Sequence, residues 1–391
     1  MRILYLTSIY ENFGGYYRCL NLSRNLPAEK VYVTIVCASA RNFDLLIRSR
    51  DIQDNVRLVT LPRIKYHKYF TGQLFRMFIS CFQVLFYDYQ ILHASTVAQP
   101  QVGIPVMLAK IVRRKKVVVD WEDLWGGGFA DYHPFPVRNI LSFCEKFFIL
   151  FSNRVTVVSE FLLQKTNTLG IPSSRIDKIP NGSNIKQIFP LAKDKSRKLT
   201  GIPPEKKVIM SVGNTYMGDV VGVIIKLIKS VSERSGDVIF AFIGNFDIDK
   251  KYKADFCSLS SHTLFFGNKD FKEIPVYMSC ADILILPMAD SPIEKARFPM
   301  RFGDYLAAGR PIVSNAVGEV RHYLETYNCG LISLPKDIDG MTDNIISLLN
   351  NKNLSEKLEQ NARSLAEGEL SWSRIAEKLM ETYNKALYGR T

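Results

Sequence analysis

Residues 297–313 read RFPMRFGDYLAAGRPIV, a helix-to-strand unit in miniature. Apolar residues at helical spacing begin near Met300, stop at Gly309 and Pro311, and pass into the apolar pair Ile312 and Val313. Gly just past a helix and Pro beyond it are stop signals, because Gly tolerates a left-handed turn and Pro cannot continue the hydrogen-bond ladder. Asp304 heads that helix with Arg301 beside it. An acid and a cation near a helix N-terminus, opposite a Gly-rich loop, suit the ribose and phosphates of a nucleotide.

The same alternation runs outward from this unit. Apolar runs predict strands over 3–7, 31–38, 56–61, 91–94, 117–120 and 155–159, with helices over 15–26, 72–87, 102–112 and 137–151. A second series follows, with strands over 207–212, 238–243, 263–266, 283–287, 311–315 and 330–333, and helices between them. Strands alternating with helical patterns indicate βα units around parallel sheets. Residues 179–204, IPNGSNIKQIFP and a charged stretch, interrupt the pattern. A chain of 391 residues exceeds one ordinary core. The expected division is a first domain over 1–185, a linker over 186–205, a second domain over 206–370 and a terminal helix over 371–391 without a strand of its own.

Composition narrows the class. With 47% hydrophobic and 23% charged residues and no low-complexity block, the chain reads as folded throughout. The 7 Cys are scattered among apolar stretches with no CxxC pair, which argues for buried thiols and against a disulfide framework or zinc site. The chain opens directly on a strand and no apolar run reaches membrane-span length, so no signal peptide is expected, and a protein that is soluble or peripheral, working in the cytoplasm, is. A net charge of +13 calls for an anionic partner. Its cations gather in the first half, as Arg63, Lys65, Lys68, Arg76 and Arg113 to Lys116, among Tyr66, Tyr69 and Phe70. Phe75, Phe78, Ile79, Phe82, Leu85 and Phe86 recur at helical spacing, which fits a core-facing helix or, given those cations, an anionic membrane surface. No nucleic-acid motif accompanies the charge, so nucleic acid is not an expected partner.

Strand ends supply the candidate site. VVVDWEDLWGGG, 117–128, runs a buried-looking strand into Asp120, Glu122 and Asp123, flanked by Trp121 and Trp125 and followed by three glycines including Gly126. Acids at the carboxyl end of a parallel strand lie where such sheets bind ligands, and a carboxyl beside indole rings can titrate high enough to serve as a general base. Helix capping or ion pairing is the plainer reading for at least one of them. Gly14 and Gly15 end the first loop before a helix, though GxGxxG is absent. Gly213 with Asn214, and Gly244 with the residue after it, end strands in Gly-Asn. Of the histidines, His93 and His133 are positioned to reach a cleft. No His stands at ligand spacing from the acids, so no metal is expected.

Taken together these stretches resemble the two-domain glycosyltransferases of the GT-B fold, most closely the family-4 group. Residues 155–190, with VSE, KIPNG and IFP in order, are similar to that group's approach to its linker. IPVYMSCADILILP, 274–287, resembles a strand approach of the group, 297–313 its donor-site helix, and WSRIAEKLMETYNKAL, 372–387, its last helix. The resemblance implies an α/β fold of two Rossmann-like, doubly wound domains facing across a cleft, with the last helix crossing back to the first domain. It implies transfer of a sugar from a nucleotide-sugar donor, held by the second domain, to a glycan or lipid-linked acceptor held by the first, without cofactor or metal. Carried over by position, Asp304 binds the ribose and Arg301 the diphosphate, with Gly213, Asn214, Gly244, Gly267, Asn268, Glu294, Arg297, Met300, Gly14 and Gly15 on the donor side. Glu122 and Asp120 join Arg301 as catalytic candidates, with Asp123, Trp125, Gly126 and His133 on the acceptor side.

Three departures from the group's pattern stand out, one of them Glu122 at the place where many of the group carry a His. Its first glutamate falls at Ala296, with Glu294 the nearest acid, and GNTYMGDVVG lacks its usual Arg and Lys. DWEDLWGG with PMRFGDY is also similar to the mannosyltransferases that build lipid-linked oligosaccharides, which invert, whereas most of the group retain. A retaining hexosyl transfer in surface polysaccharide or glycolipid synthesis is the expectation. A nucleotide-sugar epimerase or hydrolase of the same fold, or a basic nucleic-acid-binding protein, are the alternatives.

Overall fold

Each half of the chain builds its own parallel sheet, and the computed structural model describes residues 1–64, 72–213, 220–245 and 252–389. Two units result: one comprises Met1–Asn181, Ala296–Phe298 and Trp372–Thr391, the other Gly182–Lys295 and Pro299–Ser371.

The first unit contains β1 (Arg2–Tyr10), β2 (Tyr32–Ala38), β3 (Phe43–Asp44), β4 (Arg48–Gln53), β5 (Val56–Leu61), β6 (Arg63–Ile64), β7 (Ile91–Ser95), β8 (Lys116–Trp121), β9 (Arg154–Val157) and β10 (Ile176–Lys178). Eight of them form one sheet in the order β10-β9-β8-β7-β1-β2-β5-β4. Its pairs are parallel except at the edge, where β4 runs antiparallel to β5; β3 and β6 make a separate ribbon. Residues 3–6, 91–94 and 117–119 are apolar or aromatic and buried almost without alternation, apart from the buried His93, as expected of central strands covered on both faces. The helices are α1 (Gly14–Arg24), α2 (Gln73–Phe86), α3 (Pro100–Ile111), α4 (Val137–Ile149) and α5 (Glu160–Thr168). The last helix, Trp372–Tyr388, packs on this unit against α1 and β8, burying Trp372, Ile375, Leu379 and Tyr383.

α2 inverts the usual amphipathic arrangement. Its buried positions are Arg76, Ser80, Gln83 and Val84, while Leu74, Phe78 and Phe86 stand about two-thirds exposed, at 67%, 67% and 68%. Phe75 and Phe82 are exposed with them. The aromatic stripe of the sequence therefore faces outward, and Ile140 and Phe143 of α4, with Leu150 just past its end, are exposed too. The cations and aromatics at Lys65, Tyr66, Lys68, Tyr69 and Phe70 lie outside the described residues.

The second unit holds β11 (Lys207–Val212), β12 (Val238–Ile243), β13 (Thr263–Phe265), β14 (Ile283–Leu286), β15 (Ile312–Ser314) and β16 (Gly330–Ile332), parallel throughout in the order β13-β12-β11-β14-β15-β16. Its helices are α6 (Lys193–Thr200), α7 (Val220–Arg234), α8 (Lys253–Ser258), α9 (Ile274–Ser279), α10 (Pro292–Ala296), α11 (Met300–Ala308), α12 (Gly318–Tyr327), α13 (Ile338–Asn350) and α14 (Lys352–Glu367), the end of α10 passing to the first unit. The expected linker over 186–205 is part of this unit. Arg197 of α6 is buried, donating to the carbonyls of Cys280, Pro204 and Lys206 and pairing with Asp282 at 2.8 Å. A run of charges read as linker is thus tied down by one buried guanidinium.

Candidate active site

The first sheet reverses its winding between β1 and β7, and crevices at the carboxyl ends of such strands are where open α/β sheets bind ligands. There the Ser8 hydroxyl donates to Thr96 Oγ1 at 3.0 Å. Thr96 adopts φ 59°, a costly conformation for a β-branched residue. A pocket of about 210 Å³ opens at this point, lined among others by Ser8, Tyr10, Arg76, Thr96, Gln101, Asp123 and Trp125.

Asp120 and Glu122 end β8 with opposite fates. Asp120 is fully buried and bound on every side: Arg18 reaches both carboxylate oxygens at 2.8 and 2.9 Å, Tyr5 Oη donates at 2.9 Å and Thr156 Oγ1 at 2.7 Å. Burial alone would raise its pKa, but Arg18 outweighs that and holds it down at about 2. Arg18 also clamps the carbonyls of Ile179 and Pro180 and the Asn181 side chain. Expected as catalytic, Asp120 is instead the centre of a structural clamp. His93 belongs to the same cluster, stacked on Tyr5 with ring centroids 4.1 Å apart and joined through Nδ1 to Tyr383 Oη at 2.6 Å. Burial lowers its pKa to about 4, so it is neutral and does not reach a cleft.

Glu122 has no such counterion. Burial, then the charges of Asp120 and Asp123, push its pKa up to about 8, and Oε1 is buried without a hydrogen-bond partner. It lies against the N-terminus of α1: a Cβ on Gly15 would come 3.0 Å from Oε1 and 2.1 Å from Ile9 Cδ1, so a larger residue there would displace the Ile9 side chain and crowd the carboxyl. Gly14 beside it is exposed, with nothing near its Cβ position. The arrangement is a protonated carboxyl at the head of a helix, able to donate a hydrogen bond at neutral pH.

The loop after β8 is shaped by a residue that sequence patterns did not single out. Glu145, buried on α4, accepts from Trp121 Nε1 at 2.9 Å, Trp125 N at 2.8 Å and Gly126 N at 2.7 Å. Gly126, expected on the acceptor side, spends its N–H on this loop and packs against Glu145. Trp125 stacks on His133, centroids 6.3 Å apart, and both line a second cavity described below.

In the second unit the winding reverses between β11 and β14. Three adjacent strands end in glycines with positive φ: Gly213 at 135°, Gly244 at 121° and Gly267 at 66°. The Gly213 N–H donates to Ile243 O at 2.8 Å and that of Gly244 to Gly267 O at 2.9 Å, giving a rim of bare backbone. Arg301 lies over it, Nη1 standing 3.0 Å from where a Gly213 Cβ would be. Tyr305 fixes α11 here, its hydroxyl accepting from Val212 N at 2.7 Å. One turn along from Arg301, Asp304 accepts from Asn184 at 3.0 Å, and burial raises its pKa to about 6 against that hydrogen bond. Met300 opens α11, Glu294 is buried on α10, and Asn268 is exposed beyond Gly267. Asn214 lies outside the described residues. Arg297, expected beside Arg301, belongs to the first unit, where its neighbours Ala296 and Phe298 accept from Ser159 and Asn181. Among the described residues no group of three or more His, Cys, Asp or Glu is placed to hold a metal ion.

A glycine-edged switch point with an arginine over it, on a second parallel sheet, lies where open α/β sheets bind their ligands. Residues 14–187 match the model of Glycosyltransferase Family 4 and residues 192–365 that of Glycosyl transferases group 1. The chain belongs to the family-4-like glycosyltransferases of the GT-B fold. It is 23% identical over 219 residues to TuaH of Bacillus subtilis, whose name assigns it as a glycosyltransferase to teichuronic acid biosynthesis, over 54% of this chain and 53% of that one. The chain thus spans about half the length of this curated relative. Sucrose-phosphate synthase from Thermosynechococcus elongatus has the same fold, with TM-score 0.74 at 16% identity over 100% of both chains. Anabaena HepE in complex with UDP-glucose has it too, with TM-score 0.71 at 15% identity over 98% of this chain and 100% of that one.

Proposed function

We propose that the protein is a glycosyltransferase that moves a hexosyl group from a nucleotide sugar to a glycan or lipid-linked acceptor, in the synthesis of surface polysaccharide or glycolipid. Arg301 over the bare backbone of Gly213, one turn from Asp304, is the observation that carries this reading. The donor diphosphate lies against the guanidinium and the ribose against the Asp304 carboxylate. A fixed guanidinium can pair two phosphate oxygens and meets the charge that grows on the leaving group, with no metal required. The name of TuaH and the UDP-glucose bound by HepE support sugar-nucleotide chemistry and a cell-surface product.

On the first unit, the protonated Glu122 donates a hydrogen bond to an oxygen of the transferred sugar or acceptor. In the retaining course the departing phosphate takes the acceptor proton, so no ionised side chain is needed. Among the described residues no helix is long and apolar enough to cross a membrane. The exposed aromatic faces of α2 and α4, with the positive charge of the chain, support work at the cytoplasmic surface of a membrane.

Incubation with UDP-, GDP- and ADP-sugars, with and without membrane lipid extract and with and without a chelator, tests the reading. Nucleotide release that depends on the extract, with label entering lipid, is expected, and NMR of the product gives the anomeric outcome. Arg301→Ala is expected to lower kcat/KM for the donor about 10- to 100-fold, since hydrogen bonds to charged groups are worth about 1.5–3 kcal/mol. Donor turnover indifferent to every acceptor would point to a hydrolase or epimerase instead.

A further inference from the structure

The geometry points to a seat for the hydrocarbon chain of the acceptor: an apolar cavity of about 320 Å³ where the first turns of α2, α3 and α4 meet. This deepens the glycosyl-transfer reading and rests on it. Leu74 and Met77 of α2, Pro100 of α3, and Val137 and Leu141 of α4 supply its walls. Leu74 and Val137 are themselves exposed, so two walls run out onto the bare aromatic and aliphatic faces of α2 and α4. An apolar molecule lying along those faces meets an entrance rather than a closed core.

The other end of the cavity is polar. Gln73, Gln99, Gln101 and Trp125 line both this cavity and the 210 Å³ pocket at the ends of β1 and β7. That pocket adds Ser8, Thr96, Arg76 and Asp123. The two spaces thus adjoin at Trp125, the apolar cavity meeting a pocket in which hydroxyls and charged groups stand beside Ile9, Tyr10 and Phe13. The indole Nε1 there is buried with no hydrogen-bond partner among the described residues. A buried N–H without an acceptor is costly, and an oxygen of a ligand lying across the junction would satisfy it.

An amphiphile matches this sequence of surfaces. At roughly the 30 Å³ that a water-sized group occupies, the cavity holds a chain of about ten carbons. Its polar head then lies among the hydroxyls, the amides, the Arg76 cation and the Asp123 carboxylate of the strand-end pocket, on the same face of the unit as Glu122. A free glycan would leave the apolar half unused.

The probe is a series of n-alkyl phosphates from about four to about fourteen carbons, below their micelle concentrations, with inorganic phosphate as the zero-length member. Calorimetry on the full chain should show affinity rising roughly fourfold per methylene and levelling off near ten carbons. Met77→Trp fills the cavity from a half-buried position, and Leu74→Glu charges its mouth from an exposed one. Both should flatten the series while leaving UDP affinity and the thermal midpoint unchanged. A flat series in the wild type, or an undiminished slope in both variants, overturns the proposal. Transfer to membrane lipid together with a flat series sinks the cavity and leaves the glycosyltransferase reading standing. A steep series with sugar transferred only to water-soluble glycans, or with no donor turnover at all, overturns the assignment to the acceptor.

Discussion

Replacing Arg18 by Met separates a structural role for Asp120 from a chemical one. The side chain makes five hydrogen bonds, two to Asp120, two to the carbonyls of Ile179 and Pro180 and one to Asn181, from a position with 1% of its side chain exposed. Methionine fills similar length but strands a buried carboxylate and two carbonyls. Removing one partner of a buried ion pair costs about 3–5 kcal/mol. At about 2–4 °C per kcal/mol for a unit of this size, the unfolding midpoint should fall by about 6–20 °C near pH 7. The sign with pH follows from Asp120. Its folded pKa, about 2, is below the ordinary carboxylate value, so its contribution in the wild type is present at neutral pH and lost as pH falls toward 2. Without Arg18, burial dominates and the carboxyl prefers to be protonated, so the deficit of the variant should shrink as pH falls. Differential scanning calorimetry from neutral to acid pH measures both effects. A midpoint within about 2 °C of wild type, combined with loss of turnover, would refute the clamp and return Asp120 to the reacting groups.

Glu122→Gln keeps a hydrogen-bond donor and removes the titration. With a folded pKa near 8, Glu122 stabilises the fold most at low pH and loses that contribution as pH rises through 8, so the Gln variant should gain stability relative to wild type over that range. If the neutral acid is the working form, the fall in wild-type turnover above pH 8 should vanish in the variant; an alkaline limb unchanged by the substitution argues against it. Gly213→Ala places a Cβ 3.0 Å from Arg301 Nη1 at φ 135°. It should cost about 1–3 kcal/mol of stability and raise the donor KM, whereas unchanged donor affinity would show that Arg301 does not need its place over Gly213.

The alternation of strands and helices was legible because it is local. Apolar runs such as 117–119 and 283–286 are buried on both faces of their sheets, and the ends of α2 and α11 fall within a residue or two of their signals. β4 escaped notice because RSRDIQ is an exposed edge with no apolar alternation to read. The charged stretch after residue 192 read as linker because its anchor, Asp282, lies far along the chain. Glu145 looked like one acid in an apolar helix, and only the fold brings three N–H groups of the 121–126 loop to it.

The sequence by itself determined where elements begin and end, that two parallel sheets exist, and that acids and glycines collect at strand ends, since these follow from periodicity and from residues with special backbone freedom. The tertiary structure alone decided what each acid does. Asp120 and Glu122 are two residues apart with the same functional group. One meets Arg18 from a helix a hundred residues earlier and becomes a fixed charge, while the other lies by Gly15, where burial and two neighbouring acids outweigh Arg18 and Ser95, and keeps its proton. A carboxyl's protonation depends on the groups packed around it, and those come from segments that only the folded chain brings together.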